Sequence, residues 1–261
     1  MRPETPLAPS SRHAARWGLA LLAPPLLLAV LAPLFGKLAV GPMLAAPSLA
    51  HPFGTDDLGH DLLALLAQGA RVSFEVGGYA TALAMGLGIA LGLVAAFGGR
   101  LADDLVMRSA ELTVTVPPLL LAIVMVGLFG TGNVLTALAL GIGSWPMVAR
   151  VVRAAAYGLR GQPHVTAARA LGVSRAKIAL RHVLPAILPL ALSLVGVLFS
   201  GAVLAEATLS FVGLTDHTTP GWGHIMAHAG PYLRDAWWMW LFPGGFLVMT
   251  TAGVALVADS V

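Results

Sequence analysis

Some side chains in this sequence have the chemistry for catalysis or ligand binding, and their spacing limits what they can do. His224 and His228 stand four residues apart, so one helix face can carry both rings. A zinc-hydrolase site of that kind needs Glu directly after the first His; Ile225 stands there. Asp56, Asp57, His60 and Asp61 form the densest group of metal-ligand types. The same residues also cap helices and close turns, which is the role expected here. Ser144 follows Gly143, but no partner base is identifiable. The Gly36-Lys37 pair lacks the upstream glycine and the Ser/Thr of a phosphate-binding loop. There are 0 cysteines, which excludes disulfides and thiolate metal sites. Neither a catalytic residue nor a metal site is expected, and no cofactor bound by this chain. An intramembrane enzyme is the distant alternative.

Glu206 stands at the outer end of an apolar run. A carboxylate near the centre of a bilayer costs a few kcal/mol, so it should face a cavity or a partner. Two readings stay open: a pathway-lining or partner-contacting carboxylate, and a capped interfacial one.

The elements that must carry these residues are apolar. Of the 261 residues, 57% are hydrophobic and 10% charged, against about 25% charged in soluble domains. Mean hydropathy is +0.85. The chain therefore reads as an integral membrane protein, all α-helical. The net charge of +3 does not point to nucleic acid, because the basic residues follow membrane topology.

Residues 1–16 read as a cytoplasmic tail, and Trp17 to Phe35 as a first span. A cleaved signal peptide is disfavoured, because the run is long and lacks a small-x-small cleavage site. Residues 36–71 form an extracytoplasmic segment. The remainder, 72–261, holds five further spans. Val72 to Phe97 carries Gly88 and Gly92, a small-xxx-small pair that lets another helix approach closely. Leu112 to Phe129 is the third span, with a kink expected at Pro117-Pro118, where freed carbonyls suggest a contact or pathway position. Val134 to Ala149, Leu184 to Leu204 and Leu241 to Val257 complete six. Tyr232, Trp237, Trp238 and Trp240 are expected as an aromatic belt at the lipid boundary.

Between the fourth and fifth spans lies a basic loop, residues 150–183, with no acidic residue from Arg150 to Arg181. Pro163 can open a helix, because position N1 needs no N–H. Gly172 suits the left-handed residue that ends it. Ser174 can cap a second helix that runs towards Pro185. With both termini inside, Arg2, Arg12, Arg16, Arg100, Arg108, Arg150, Arg153, Arg160, Arg169, Arg175, Lys177 and Arg181 lie in the cytoplasm. Only Lys37, Arg71 and Arg234 lie outside, as the positive-inside rule requires.

This loop resembles the "EAA" loop of ABC-transporter permeases through Ala167, Ala168, Gly172, Ile178, His182, Leu184 and Pro185. Thr166 stands where that motif has Glu, a departure. Other stretches are similar to the dipeptide/oligopeptide/nickel permeases, in their order. They are His51-Pro-Phe-Gly-Thr-Asp-Asp-Leu-Gly-His-Asp61, with His60 in place of the usual Arg, and Gly69-Ala-Arg-Val-Ser73. Gly98-Gly99 with Asp103, Met107 and Arg108, then Glu206 to Leu214, and Pro220-Gly-Trp-Gly223 follow. The resemblance runs from about Trp17 to Asp259.

The resemblance implies a type I ABC importer permease fold with six transmembrane helices. It implies the C-type inner-membrane subunit of a binding-protein-dependent importer of dipeptides or oligopeptides, in the plasma membrane. The loop would be the coupling helix, with Thr166 to Arg169, Gly172, Ile178, His182, Leu184 and Pro185 as its coupling residues. Implied partners are a second, homologous permease, two ATP-binding subunits that hold ATP and Mg, and an external binding protein. Pro117, Pro118 and Glu206 are candidates for the pathway or the permease partner. A nickel or metal-chelate cargo is the alternative, to which His217, His224 and His228 would bear; they are expected instead as outer-loop histidines.

Overall fold

The computed structural model describes residues 9–35, 40–215, 220–258 and 260. The expectations for residues 1–8, Lys37, His217 and Asp259 lie outside the described residues. Eleven α-helices follow one another among them.

Helix α1 (Pro9–Leu31) runs into a short 3-10 turn at Ala32–Phe35. It begins ahead of Trp17, inside the stretch expected to be a tail. Helix α2 (Leu62–Phe97) has 36 residues, about 54 Å at 1.5 Å per residue. It starts ten residues before the expected Val72, so residues 62–71, expected ahead of the second span, are already helical. Asp61 sets that start: its side chain accepts the N–H of Leu63 at 2.9 Å.

The expected third span is two helices, α3 (Arg100–Thr115) and α4 (Pro118–Phe129), bent by 79°. Pro117 caps α4 and Pro118 is its first residue, so the proline pair ends one helix and opens another rather than kinking one. Helix α5 (Asn133–Leu159) takes in residues 150–159, which were expected as loop. Hydropathy falls there, but Val151, Val152 and Ala154 to Ala156 continue the helix. Helices α6 (Pro163–Ala170) and α7 (Arg175–Ile178) make the loop itself. The expected fifth span is again a pair, α8 (Leu184–Leu192) and α9 (Val195–Phe211); from Arg175 onward it is bent by 49° at residues 193–194. Helix α10 (Trp222–Ala229) lies across the outer end, and α11 (Trp238–Ala258) closes the chain.

Among the described residues, four helices are long and apolar enough to cross a membrane, and up to six spans result if each bent pair counts as one. Helices α2 and α5 form the most extensive pairing, and α11 packs on α1 and α9. The glycines explain the closeness. A Cβ at Gly88 would overlap Val148, and one at Gly92 would lie 2.8 Å from the Ala149 carbonyl oxygen. On the other side, a Cβ at Gly18 of α1 would lie 2.8 Å from the Gly253 carbonyl oxygen of α11.

The outer end is held by two indoles. Trp222 is fully buried and its Nε1 donates to the Leu66 carbonyl at 3.0 Å. Trp238 is buried and its Nε1 donates to the Thr55 carbonyl at 3.0 Å. Trp238 is thus a core anchor, which corrects its expected place in the aromatic belt; Trp237 is 50% exposed and does face outward.

Candidate functional site

The basic loop is built by local chemistry. Gln162 caps α6, and its carbonyl accepts the N–H groups of Val165 and Thr166, both at 3.0 Å. Pro163 occupies N1, where no donor is missed. At the other end, Gly172 has φ +78°, and its N–H donates to Arg169 at 3.0 Å. The Val173 N–H donates to the Ala168 carbonyl at 3.1 Å. Those two bonds are a Schellman closure with glycine in the left-handed position. Ser174 then caps α7, accepting the Lys177 N–H at 3.4 Å.

A π-helical turn at Ala179–Val183 joins α7 to α8, with the Leu184 N–H reaching the Ala179 carbonyl. Pro185 supplies the reason. It has no N–H for the carbonyl four residues back, and its ring crowds that carbonyl. One extra residue in the turn relieves both.

The loop has two faces. Its inner face is Val165, Ala168, Ile178, Ala179 and Val183, buried in one cluster with Met85, Leu93 and Phe97 of α2 and Val148, Val152 and Ala156 of α5. This corrects the expectation that Ala168 belongs to an outward docking surface, and places Ile178 inward as well. Ala167 is exposed, as are Arg169, Arg175, Lys177, Arg181 and His182. Leu171 is 84% exposed at the corner. Leu171 is not among the expected coupling residues; its position beside Gly172 is the sequence signal for it. Leu184 is half-buried and Pro185 exposed. Thr166 is exposed, but its hydroxyl bonds back to the Pro163 carbonyl at 2.9 Å and the Gln162 carbonyl at 3.2 Å.

A second feature is a groove of about 330 Å³ between α3, α4, α5 and α9. Pro118, Gly143, Ser144, Met147, Leu198 and Gly201 are among its lining. Pro118 packs against Gly143, where a Cβ would lie 2.8 Å from the ring. Pro117 does not line it. No lining residue is charged, and the Ser144 hydroxyl is already committed to the Leu140 carbonyl at 2.7 Å.

Glu206 is fully buried within this chain. Ser73 Oγ donates to its Oε2 at 2.9 Å, while Oε1 lies against Gly221 and has no hydrogen-bond partner among the described residues. Glu206 does not line the groove, and its carboxylate lies inside this chain. It joins α2, α9 and the start of α10.

On the outer face the acidic residues cap and turn. Asp56 accepts the N–H groups of Leu58 at 2.9 Å and His60 at 2.6 Å. His51 Nδ1 pairs with Asp61 at 2.9 Å. The His224 and His228 rings lie 4.4 Å apart. Among the described residues, no group of three or more His, Asp or Glu is placed to hold a metal ion. His217 lies outside that set.

Residues 88–260 match the family described as the binding-protein-dependent transport system inner membrane component. The chain belongs to that family. It is a multi-pass permease component of the inner membrane, a transport subunit and not an enzyme. A relative in Brucella suis biovar 1, named "Putative peptide transport system permease protein", is 39% identical over 95% of this chain and 86% of its own. The dipeptide transport system permease protein DppC of Alkalihalophilus pseudofirmus is 32% identical, over 93% of this chain and 82% of its own. An inward-facing structure of the MetNI methionine ABC transporter matches with a TM-score of 0.58 and 19% identity, covering 76% of this chain and 96% of that one. That likeness gives the fold, an ABC importer permease.

Proposed function

We propose that this chain is the transmembrane subunit through which an ATP-driven importer passes dipeptides or oligopeptides. The loop at Pro163–Ile178 carries the reading: a helix, a left-handed glycine and a second helix, with one face built into the α2–α5 core and the other exposed. Such an element moves with the spans it is packed on. Its exposed face offers Leu171 and Ala167 for apolar contact, and Arg169, Arg175 and Arg181 for carboxylates, to a separate ATP-hydrolysing subunit. Thr166 brings no charge, so docking rests on shape and on the arginines.

The α3–α4–α5–α9 groove is this chain's part of the pathway, completed by a second permease. Its apolar, uncharged lining suits a cargo whose selection lies elsewhere, on an extracytoplasmic binding protein. The peptide names of the relatives support peptide over nickel or a metal chelate. The absence of a ligand set of three among the described residues adds no support for metal.

The test is uptake of a labelled dipeptide into proteoliposomes containing this chain, its permease and ATPase partners and the binding protein. ATP-dependent accumulation is the expected result. ATP-driven uptake of nickel but not of any peptide would overturn the cargo assignment.

A further inference from the structure

The basic stretch from Arg150 to Arg181 has no acidic residue of its own. Its partner comes from another helix. Arg153 of α5 forks onto Asp103 of α3, Nε to Oδ1 at 2.5 Å and Nη2 to Oδ2 at 2.6 Å. Tyr157, one turn further along α5, donates its hydroxyl to the same Oδ2 at 2.9 Å. The Arg153 guanidinium lies 4.9 Å from the Tyr157 ring centre, and Arg160 lies 5.0 Å from that ring and 5.6 Å from the Phe97 ring. The Asp103 side chain is 14% exposed and that of Arg153 33%. Among the described residues, it is the Arg–carboxylate pair that joins two different helices; Arg71–Glu75 lies within α2.

The position of this pair matters more than its strength. Arg153, Tyr157 and Arg160 occupy the last two turns of α5 and its cap, immediately before Pro163 opens the loop. Asp103 sits in the first turn of α3. Val106 and Ala110 of α3 are buried in one cluster with Trp145 and Ala149 of α5 and Ala95 of α2. Helix α3 then ends at the 79° elbow, where Val114 and Pro118 line the groove. A bidentate fork fixes both distance and orientation, which a single point charge does not. A stiff path therefore runs from the loop through the end of α5 to Asp103, and along α3 to the elbow.

We infer that Asp103, Arg153 and Tyr157 are positioning residues that make the α3–α4 elbow follow the loop during transport. The inference rests on the loop engaging the ATP-hydrolysing partner. Without the fork, apolar packing alone holds α3 to α2 and α5, so the elbow follows loop movement less closely and ATP is hydrolysed with less cargo moved.

The test uses the assembled transporter in proteoliposomes, with Asp103→Asn, Arg153→Lys, Tyr157→Phe and the exchanged pair Asp103→Arg with Arg153→Asp. ATP hydrolysis, labelled-dipeptide uptake and melting temperature are read for each. Arg153→Lys keeps the charge and loses the fork; Tyr157→Phe removes one hydrogen bond and is the variant least disruptive to folding. The expected result is a fall in dipeptide moved per ATP of about tenfold for Asp103→Asn and Arg153→Lys, a size usual for coupling between sites. A smaller fall is expected for Tyr157→Phe, and partial recovery in the exchanged pair. Assembly and hydrolysis should stay near the unmodified complex. An unchanged dipeptide-to-ATP ratio in Arg153→Lys and Tyr157→Phe would overturn the inference and leave the loop reading intact. So would uptake and hydrolysis falling together in proportion to lost complex. Absence of ATP-linked uptake in the unmodified complex would overturn the reading on which it rests.

Discussion

The indole Nε1 of Trp222 donates to the Leu66 carbonyl at 3.0 Å, across 156 residues of chain. Leu66 is in the second turn of α2, and Trp222 begins α10. The bond fixes the outer helix onto the longest helix of the protein. A Cβ on Gly69 would lie 2.6 Å from the Trp222 ring, so glycine is what admits the indole. Trp222→Phe keeps most of the apolar contact and loses the bond. Destabilisation of about 1–2 kcal/mol is expected, read as a lower melting temperature of the purified protein. Gly69→Leu should cost more than Trp222→Phe, because it displaces the ring.

Gly92 and Gly86 give a paired prediction on α2. Gly92 meets the Ala149 carbonyl and Val152 of α5, whereas nothing lies within 4 Å of a Cβ on Gly86. Gly92→Leu should destabilise by about 1–3 kcal/mol through overpacking, while Gly86→Leu should leave stability nearly unchanged. Thermal unfolding in one detergent compares them. Equal effects at both positions would contradict the α2–α5 packing.

Glu206 makes its prediction through Ser73. Gln is neutral, of the same shape, and keeps an oxygen for the Ser73 hydroxyl. Glu206→Gln should therefore fold and transport, within about 1 kcal/mol of the native protein. Glu206→Ala leaves Ser73 unpaired beside a cavity, and a loss of about 2–4 kcal/mol is expected. Melting temperatures of the two variants decide it; a Gln variant as unstable as the Ala one would mean that the charge itself is required.

Topology is tested by labelling. The basic residues place the loop in the cytoplasm and the segment before α2 outside. Cysteines introduced singly at Ala176 and Leu49, both exposed, should react with an impermeant thiol reagent from opposite sides of sealed vesicles. Reaction from one side would overturn the orientation.

What could be read from the sequence was chemistry that acts over a few residues. Pro163, Gly172 and Ser174 mark the start, the corner and the next start of the loop helices, because capping and left-handed backbone need specific residue types. The Gly88–Gly92 spacing likewise showed a close helix contact, though not which helix makes it. Helix ends were less legible. Helix α5 continues to Leu159 because helix propensity persists where hydropathy falls, and α2 begins at Leu62 because Asp61 caps it; capping was the role expected of that cluster, but hydropathy put the start of the span ten residues later. Burial was not legible where it depends on distant partners. Trp238 looked like a lipid-facing aromatic, but Thr55 lies 183 positions away and accepts its N–H. Ala168 and Ala167 are alike in sequence, and only packing on α2 and α5 separates the inner from the outer.

The most direct measurement of the central claim, that the loop couples this permease to ATP hydrolysis, is the ratio of dipeptide imported to ATP hydrolysed in Gly172 variants. A Cβ at Gly172 meets nothing within 4 Å, so a substitution there acts through backbone strain at φ +78° rather than through collision. Asn tolerates that conformation and a β-branched residue does not. In the reconstituted complex, Gly172→Asn should keep the native ratio. Gly172→Val should assemble and insert but lose about tenfold or more of the uptake per ATP. A native ratio in Gly172→Val, in stably assembled complexes, would show that the loop is only a connector and would contradict the account.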